Sequence, residues 1–261
     1  MRVLAQLVGE ELERQDGCAE QRRLQRARIL DLIPGSLDMV FQPIGDLTTR
    51  QPAGFEALAR FTTDPECSPE QLFREAWEAG VGVELEVAAA RMAVSRLQEA
   101  SPACYLSINV SPATVLSGGF EDVLAGIPSA RLVLEITEHA QIDDYESLHS
   151  ALAPLRARGV RLAIDDAGAG FASLRHILRL SPDIIKLDSS LIRNISGDQA
   201  RLALTEALIS FGALIGAATI AEGVETENEA GTLRALGVDF AQGHLIGSPE
   251  PLTDAECLIG G

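Results

Sequence analysis

Six apolar stretches, rich in β-branched residues, each run directly into a carboxylate, an amide or an ammonium group. Residues 53–55 lead to Glu56, 106–108 to Asn109, 132–134 to Glu135, 162–164 to Asp165 and Asp166, 184–185 to Lys186, and 219–221 to Glu222. Charged groups are rarely buried unless they are paired or hold a metal. One such ending reads as a turn or a helix cap. Six of them, separated by stretches with helical patterning, describe parallel strands that present polar groups at a single mouth.

The 261 residues suit one barrel or two smaller domains, and 46% hydrophobic content is enough for a large core. No apolar run reaches the ~18 residues of a membrane span, and the first residues lack the apolar stretch of a signal peptide, so the expected compartment is the cytoplasm. Cys18, Cys67, Cys104 and Cys257 are far apart, with no Cys-x-x-Cys among them, which favours reduced, structural thiols. A net charge of −17 argues against a surface that tracks a nucleic-acid polymer, because that affinity comes from Lys and Arg neutralising phosphates. A small anionic ligand stays open if bound cations, Arg60 or Lys186 supply local positive charge.

Residues 1–33 read as a helix preceding the barrel, either lying on it or connecting it to an upstream sensor domain. Residues 34–261 form the barrel. The first strand is expected over 38–44, and the short turn through 48–52 makes it antiparallel to the strand ending in Glu56, since a parallel pair needs a long crossover. Capping boxes at Ser68-Pro69-Glu70-Gln71 and Thr226-Glu227-Asn228-Glu229 start helices, and Gly80 and Gly237 stop them. Strands ending near Ile44, Leu58, Val110, Thr137, Asp166, Asp188, Val224 and Leu245 give about eight, the count of an α/β-class (β/α)8 TIM-like barrel.

Barrel sites sit at the C-terminal ends of the strands, where the polar endings fall. Glu56, Asn109, Glu135 and Asp165 offer oxygen donors with no imidazole or thiolate, a set that favours Mg²⁺ or Mn²⁺ over zinc. Asp166 and Glu222 offer a second ion position, with Asp165 bridging. Paired ions about 3.5–4 Å apart suit in-line phosphoester displacement, so hydrolysis of a phosphodiester is the natural reaction class. Lys186 is expected to orient the attacking water or neutralise phosphoryl charge, and Glu222 to accept the water's proton.

At Gln42-Pro43-Ile44, Glu56-Ala57-Leu58-Ala59-Arg60 and Asp165-Asp166 the chain resembles the EAL-domain cyclic di-GMP phosphodiesterases. The likeness continues in family order through Ser107-Ile108-Asn109-Val110-Ser111, Leu134-Glu135-Ile136-Thr137-Glu138, Ile185-Lys186-Leu187-Asp188, Ala221-Glu222-Gly223-Val224-Glu225 and Gln242-Gly243. It implies a barrel with an antiparallel first strand, bacterial second-messenger signalling, and hydrolysis of cyclic di-GMP to linear pGpG with two Mg²⁺ or Mn²⁺ ions. By resemblance, Glu56, Asn109, Glu135, Asp165, Asp166 and Glu222 are the metal positions, and Glu56, Lys186 and Glu222 the catalytic ones. Gln42 and Arg60 contact substrate, Gln242 supports the site, and Glu138 steadies the loop after Asp166. A homodimer is implied as well.

The chain departs from the family at Ala167 and Ala169, where Phe and Thr are usual. The departure leaves a second reading beside the enzyme: a barrel that keeps fold and ligand as a receptor or protein-interaction module without turnover. Taken singly, Glu56 reads as a paired acid, Asp165 and Asp166 as helix caps, and Lys186 as a snorkelling rim residue. Taken jointly, in order, they read as a site.

Overall fold

The computed structural model describes residues 2–62, 68–97, 100–124, 127–137, 140–168 and 172–252, with side chains described outside 2–18 and 172–173. Two compact units divide the chain: Met1–Asp38 with Ala59–Ala89, and Met39–Leu58 with Ala90–Gly261. No helix is long and apolar enough to cross a membrane among the described residues.

Eight strands close into a barrel in chain order: β1 (Leu37–Asp46), β2 (Pro52–Phe61), β3 (Tyr105–Asn109), β4 (Leu132–Thr137), β5 (Arg161–Ala167), β6 (Ile184–Leu187), β7 (Ala218–Ala221) and β8 (Phe240–Gln242). Apart from Leu37, Asp38 and 59–61, these strands belong to the second unit. β1 runs antiparallel to both β2 and β8, with Ile44 opposite Gln242, while β2 through β8 pair in parallel. The expected irregularity is therefore present, and the short connection explains it: Asp46 accepts from the Thr48 and Thr49 amides, folding the chain back within a few residues.

β7 and β8 stop at Ala221 and Gln242, earlier than the expected ends at Val224 and Leu245. Gly223 and Gly243 have φ of 64° and 147°, which break the extended backbone directly after each strand. Glu222 is thereby the first residue beyond β7, at the rim.

In the second unit the crossovers are helical. α6 (Tyr145–Ala157), α7 (Ala172–Leu180), α9 (Gln199–Ile215) and α10 (Glu227–Leu236) connect successive parallel strands. α6 starts at Asp144, whose carboxylate accepts from the Glu146 and Ser147 amides, and α10 starts at Thr226 with the reciprocal capping box complete. In the first unit, α2 (Pro69–Glu78) is capped by Ser68 as expected and leads into the start of α3 (Gly82–Arg96). Helix α1 (Arg2–Ser36) reaches across the expected end at 33 and carries Pro34 within its last turn. Arg26 and Arg28 of α1 meet Glu84 and Glu75 at 3.4 and 3.3 Å, exposed pairs worth at most about 1 kcal/mol each.

Inward positions alternate along each strand, so the barrel interior is layered. The layer toward the strand starts is apolar: Ile44, Tyr105, Val133, Ala163, Ile184 and Ile220 form one buried cluster. The Tyr105 ring reaches across because Gly54 has no side chain; a Cβ there would stand 2.7 Å from the ring. One inward step later, the same strands carry the polar residues.

Candidate active site

Lys186 is the centre of that second layer. It is wholly buried, and its Nζ meets Glu135 at 2.7 Å, Glu222 at 2.8 Å, Asp165 at 3.0 Å and Glu56 at 3.2 Å. Strand order places these groups: β2 supplies Glu56, β4 Glu135, β5 Asp165, β6 Lys186 and the turn after β7 Glu222.

The outer contacts are equally specific. Glu56 accepts from Asn109 Nδ2 at 2.7 Å through one oxygen and from Gln242 Nε2 at 2.7 Å through the other. Gln242 Nε2 also reaches Gln42 Oε1 at 2.9 Å, and Gln42 Nε2 donates to the Gly247 carbonyl at 3.3 Å. Ser107 donates its hydroxyl to Glu135 Oε1. Gln42, Glu56, Asn109, Glu135, Asp165, Asp166, Lys186, Glu222 and Gln242 are thus brought together. Arg60 lies in the first unit, half-buried, its Nη1 donating to the Ala59 carbonyl at 2.9 Å. Glu138 lies outside the described residues. Asp188 caps α8 (Ser189–Ile192) by accepting from the Ser190 amide, a structural role.

Four carboxylates face one ammonium, so the box carries excess negative charge. Burial raises the Glu135 carboxyl to about 8, with Lys186 opposing and Glu56 and Asp165 adding to the rise. Glu222 is likewise pushed well above the usual carboxylate range, by burial first and by Asp165 and Glu56 next. Glu56 goes the other way: burial is outweighed by Lys186 and by the Gln242 and Asn109 amides, which hold it low. Burial alone would neutralise Lys186, but the surrounding carboxylates keep it charged.

Such a box is built for further positive charge. Glu56, Glu135 and Asp165 form one group whose ligand atoms lie within 4.8 Å of one another, and Asp165, Asp166 and Glu222 form a second, with Asp165 common to both. The donor set is oxygen throughout, which fits hard divalent cations.

Two features of the site leave no mark in the sequence. Asp166 has φ of 56°, a left-handed conformation that Asp tolerates better than most residues but that still costs of order 1 kcal/mol. Its amide donates to Asp165 Oδ1 at 3.0 Å. Gly168 follows at φ 105°, where a Cβ would lie 2.3 Å from Leu191. Position 167, expected to belong to the loop, is instead the last residue of β5, fully buried and paired with Leu187 after a shift of register between Ile164 and Ala167. Lys186 is the other difference. Its ammonium stands 2.7–3.2 Å from four carboxylates and donates to Glu56 and Glu135, so it is engaged on several sides at once.

An eight-stranded TIM-like barrel with an antiparallel first strand, carrying a carboxylate box at the C-terminal ends of its parallel strands, defines an α/β-barrel class of protein. Likeness to known proteins narrows the class: the EAL domain model matches residues 21–249, and the chain belongs to the EAL-domain family.

An uncharacterized protein of Sinorhizobium fredii is 33% identical over 255 residues, covering 92% of this chain and 30% of the relative. An uncharacterized protein of Mycobacterium tuberculosis is 37% identical over 226 residues, covering 80% and 74%. The cyclic di-GMP phosphodiesterase PdeF of Escherichia coli is 29% identical over 253 residues, covering 93% and 33%. This chain therefore spans about a third of the Sinorhizobium and Escherichia relatives. Among solved structures, the EAL enzyme Bd1971 with cAMP and cyclic di-GMP superposes with TM-score 0.82 at 23% identity, covering 98% of this chain and 75% of that one, a likeness of fold. Klebsiella pneumoniae BlrP1, in a complex with calcium and cyclic di-GMP, superposes with TM-score 0.73 at 29% identity, covering 84% and 59%.

Proposed function

We propose that this chain is a metal-dependent phosphodiesterase that hydrolyses cyclic di-GMP to linear pGpG. The observation that carries the reading is the pair of overlapping carboxylate groups sharing Asp165 at the barrel mouth. Family membership and the named phosphodiesterase relative support the substrate class.

In this reading Glu56, Asn109, Glu135 and Asp165 hold one Mg²⁺ or Mn²⁺, and Asp165, Asp166 and Glu222 a second. The bound cations supply charge neutralisation at the phosphoryl oxygens and a lowered pKa for the attacking water. Glu222, at the rim just past β7, would accept the proton that water gives up. The water oxygen would bond to phosphorus as its proton passes to Glu222, the ester P–O bond would break, and the leaving ribose oxygen would take a proton from solvent, to which Glu222 afterwards returns the one it accepted. Lys186 would balance charge on the reacting phosphoryl group or orient the attacking water. Gln242 and Asn109 keep Glu56 oriented, and Gln42 and Arg60 contact the substrate. Glu138 keeps its proposed role in steadying the loop after Asp166.

The same proposal takes residues 34–261 as the EAL barrel and 1–33 as an N-terminal helix or a linker from an upstream domain. A homodimer is included. Leu174 and Leu178 of α7, and Leu204, Leu214 and Ile215 of α9, are large exposed apolar residues on consecutive crossover helices, with Leu178 at 68% and Leu214 at 86% exposure. A second copy is the occupant the family suggests for exposed apolar residues of this kind. Cytoplasmic placement accords with the buried Cys104, which takes part in no disulfide among the described residues.

A receptor without turnover is the second reading, and Ala167 and Ala169, the two departures from the family's sequence, favour it. Incubating the purified chain with cyclic di-GMP and Mn²⁺, with Glu56→Ala alongside, separates them by chromatography. Metal-dependent pGpG that disappears in the variant supports the enzyme; binding without product supports the receptor.

A further inference from the structure

The two oxygens of Glu135 have different partners. Oε2 accepts from Lys186 Nζ at 2.7 Å, whereas Oε1 accepts from the Ser107 hydroxyl. Ser107 is the middle of three inward residues on β3, between Tyr105 and Asn109, and is 1% exposed. The terminal torsion of a glutamate is broad, so one contact leaves the carboxylate plane free to turn. Lys186 is shared among four carboxylates and cannot fix that plane alone. The hydroxyl can, and it does so without adding a charge that would compete with a cation. Tyr105, two residues earlier, does not duplicate this contact, since its buried hydroxyl has no hydrogen-bond partner among the described residues.

We propose that Ser107 is a positioning residue for cation binding, holding the Glu135 carboxylate in the rotation at which Glu56, Glu135 and Asp165 converge. The inference rests on the reading of this box as a cation site. The contrasting possibility is that the hydroxyl merely satisfies a buried acceptor. In that case its loss lowers stability and leaves the cation affinity of the folded protein unchanged.

Mn²⁺ alone is the probe. The full chain, stripped of metal with a chelator, is titrated calorimetrically with Mn²⁺ as wild type and as Ser107→Ala, and melting is followed without metal. Partners that orient metal ligands carry about 10–100-fold in affinity, so Ser107→Ala is expected to weaken Mn²⁺ at least about tenfold while remaining folded. An unchanged dissociation constant in a folded Ser107→Ala overturns the positioning role and leaves the proposed function standing. No Mn²⁺ binding by wild type overturns both. If Ser107→Ala fails to fold, Ser107→Cys, similar in size with a weaker donor, takes its place; intermediate affinity is expected, and wild-type affinity overturns the proposal.

Discussion

The two inward layers of this barrel are built on the same strands, one pleat apart, and are opposite in energetic character. On β4, Val133 gives way to Glu135; on β5, Ala163 to Asp165; on β6, Ile184 to Lys186; on β7, Ile220 to Glu222 just past the strand. Each fully buried aliphatic side chain in the first layer contributes about 1.5–3 kcal/mol. The second layer removes four carboxylates and an ammonium from water, a desolvation that ion pairing offsets only in part. The strand ladder and the apolar layer therefore hold a crowded set of like charges in place, and that crowding is what a divalent cation would relieve.

If the layers divide the labour in this way, substitutions should divide too. Glu56→Ala removes the acid that receives Asn109, Gln242 and Lys186. Turnover of cyclic di-GMP is expected to fall by more than about 100-fold, since even outer partners of metal ligands carry about 10–100-fold. Circular dichroism should still report a folded barrel. Retained turnover would take Glu56 out of the catalytic set. Ile184→Ala, in the apolar layer, should do the reverse, costing about 2–5 kcal/mol of unfolding free energy with turnover per folded molecule close to wild type. A large kinetic defect without loss of stability at 184 would break the comparison.

Ala167→Phe tests the departure from the family. The position is buried inside β5 rather than free in a loop, so a phenyl ring has no room without repacking, and a loss of about 1–3 kcal/mol is expected. A stable, faster variant would show that the strand end opens more than the structure suggests.

What is legible in the chain follows the same division. The barrel is legible because short apolar strands alternate with capped helices, and Thr226 and Glu229 spell out one cap residue by residue. The acids of the site are legible because an ionisable group closing an apolar strand has few structural uses. Contacts that depend on tertiary register are not legible. Ser107 in a Leu-Ser-Ile-Asn strand carries no sign that its hydroxyl will meet Glu135 on the neighbouring strand. The closeness of Gly54 to Tyr105, the buried placement of Ala167 and the fourfold engagement of Lys186 likewise arise only when the barrel closes.

Glu229 supplies the internal control. It too is a buried carboxylate, but its charge is met by the chain itself: the amides of Asn194, Glu225 and Thr226 donate to it at 3.0–3.1 Å. Burial raises its pKa and those three donors more than reverse the effect, holding it below the ordinary value. A carboxyl lowered on folding contributes stability above its unfolded pKa, and the contribution is lost as pH falls through the folded pKa. Glu229→Gln should therefore cost about 1–2 kcal/mol at neutral pH, and the difference from wild type should shrink as pH drops below about 4. Mn²⁺ should not restore the loss, because no cation is needed where backbone donors already surround the charge. Rescue by Mn²⁺, or a penalty that persists at low pH, would mean that buried acids in this fold are not divided between those the backbone satisfies and those left for an ion.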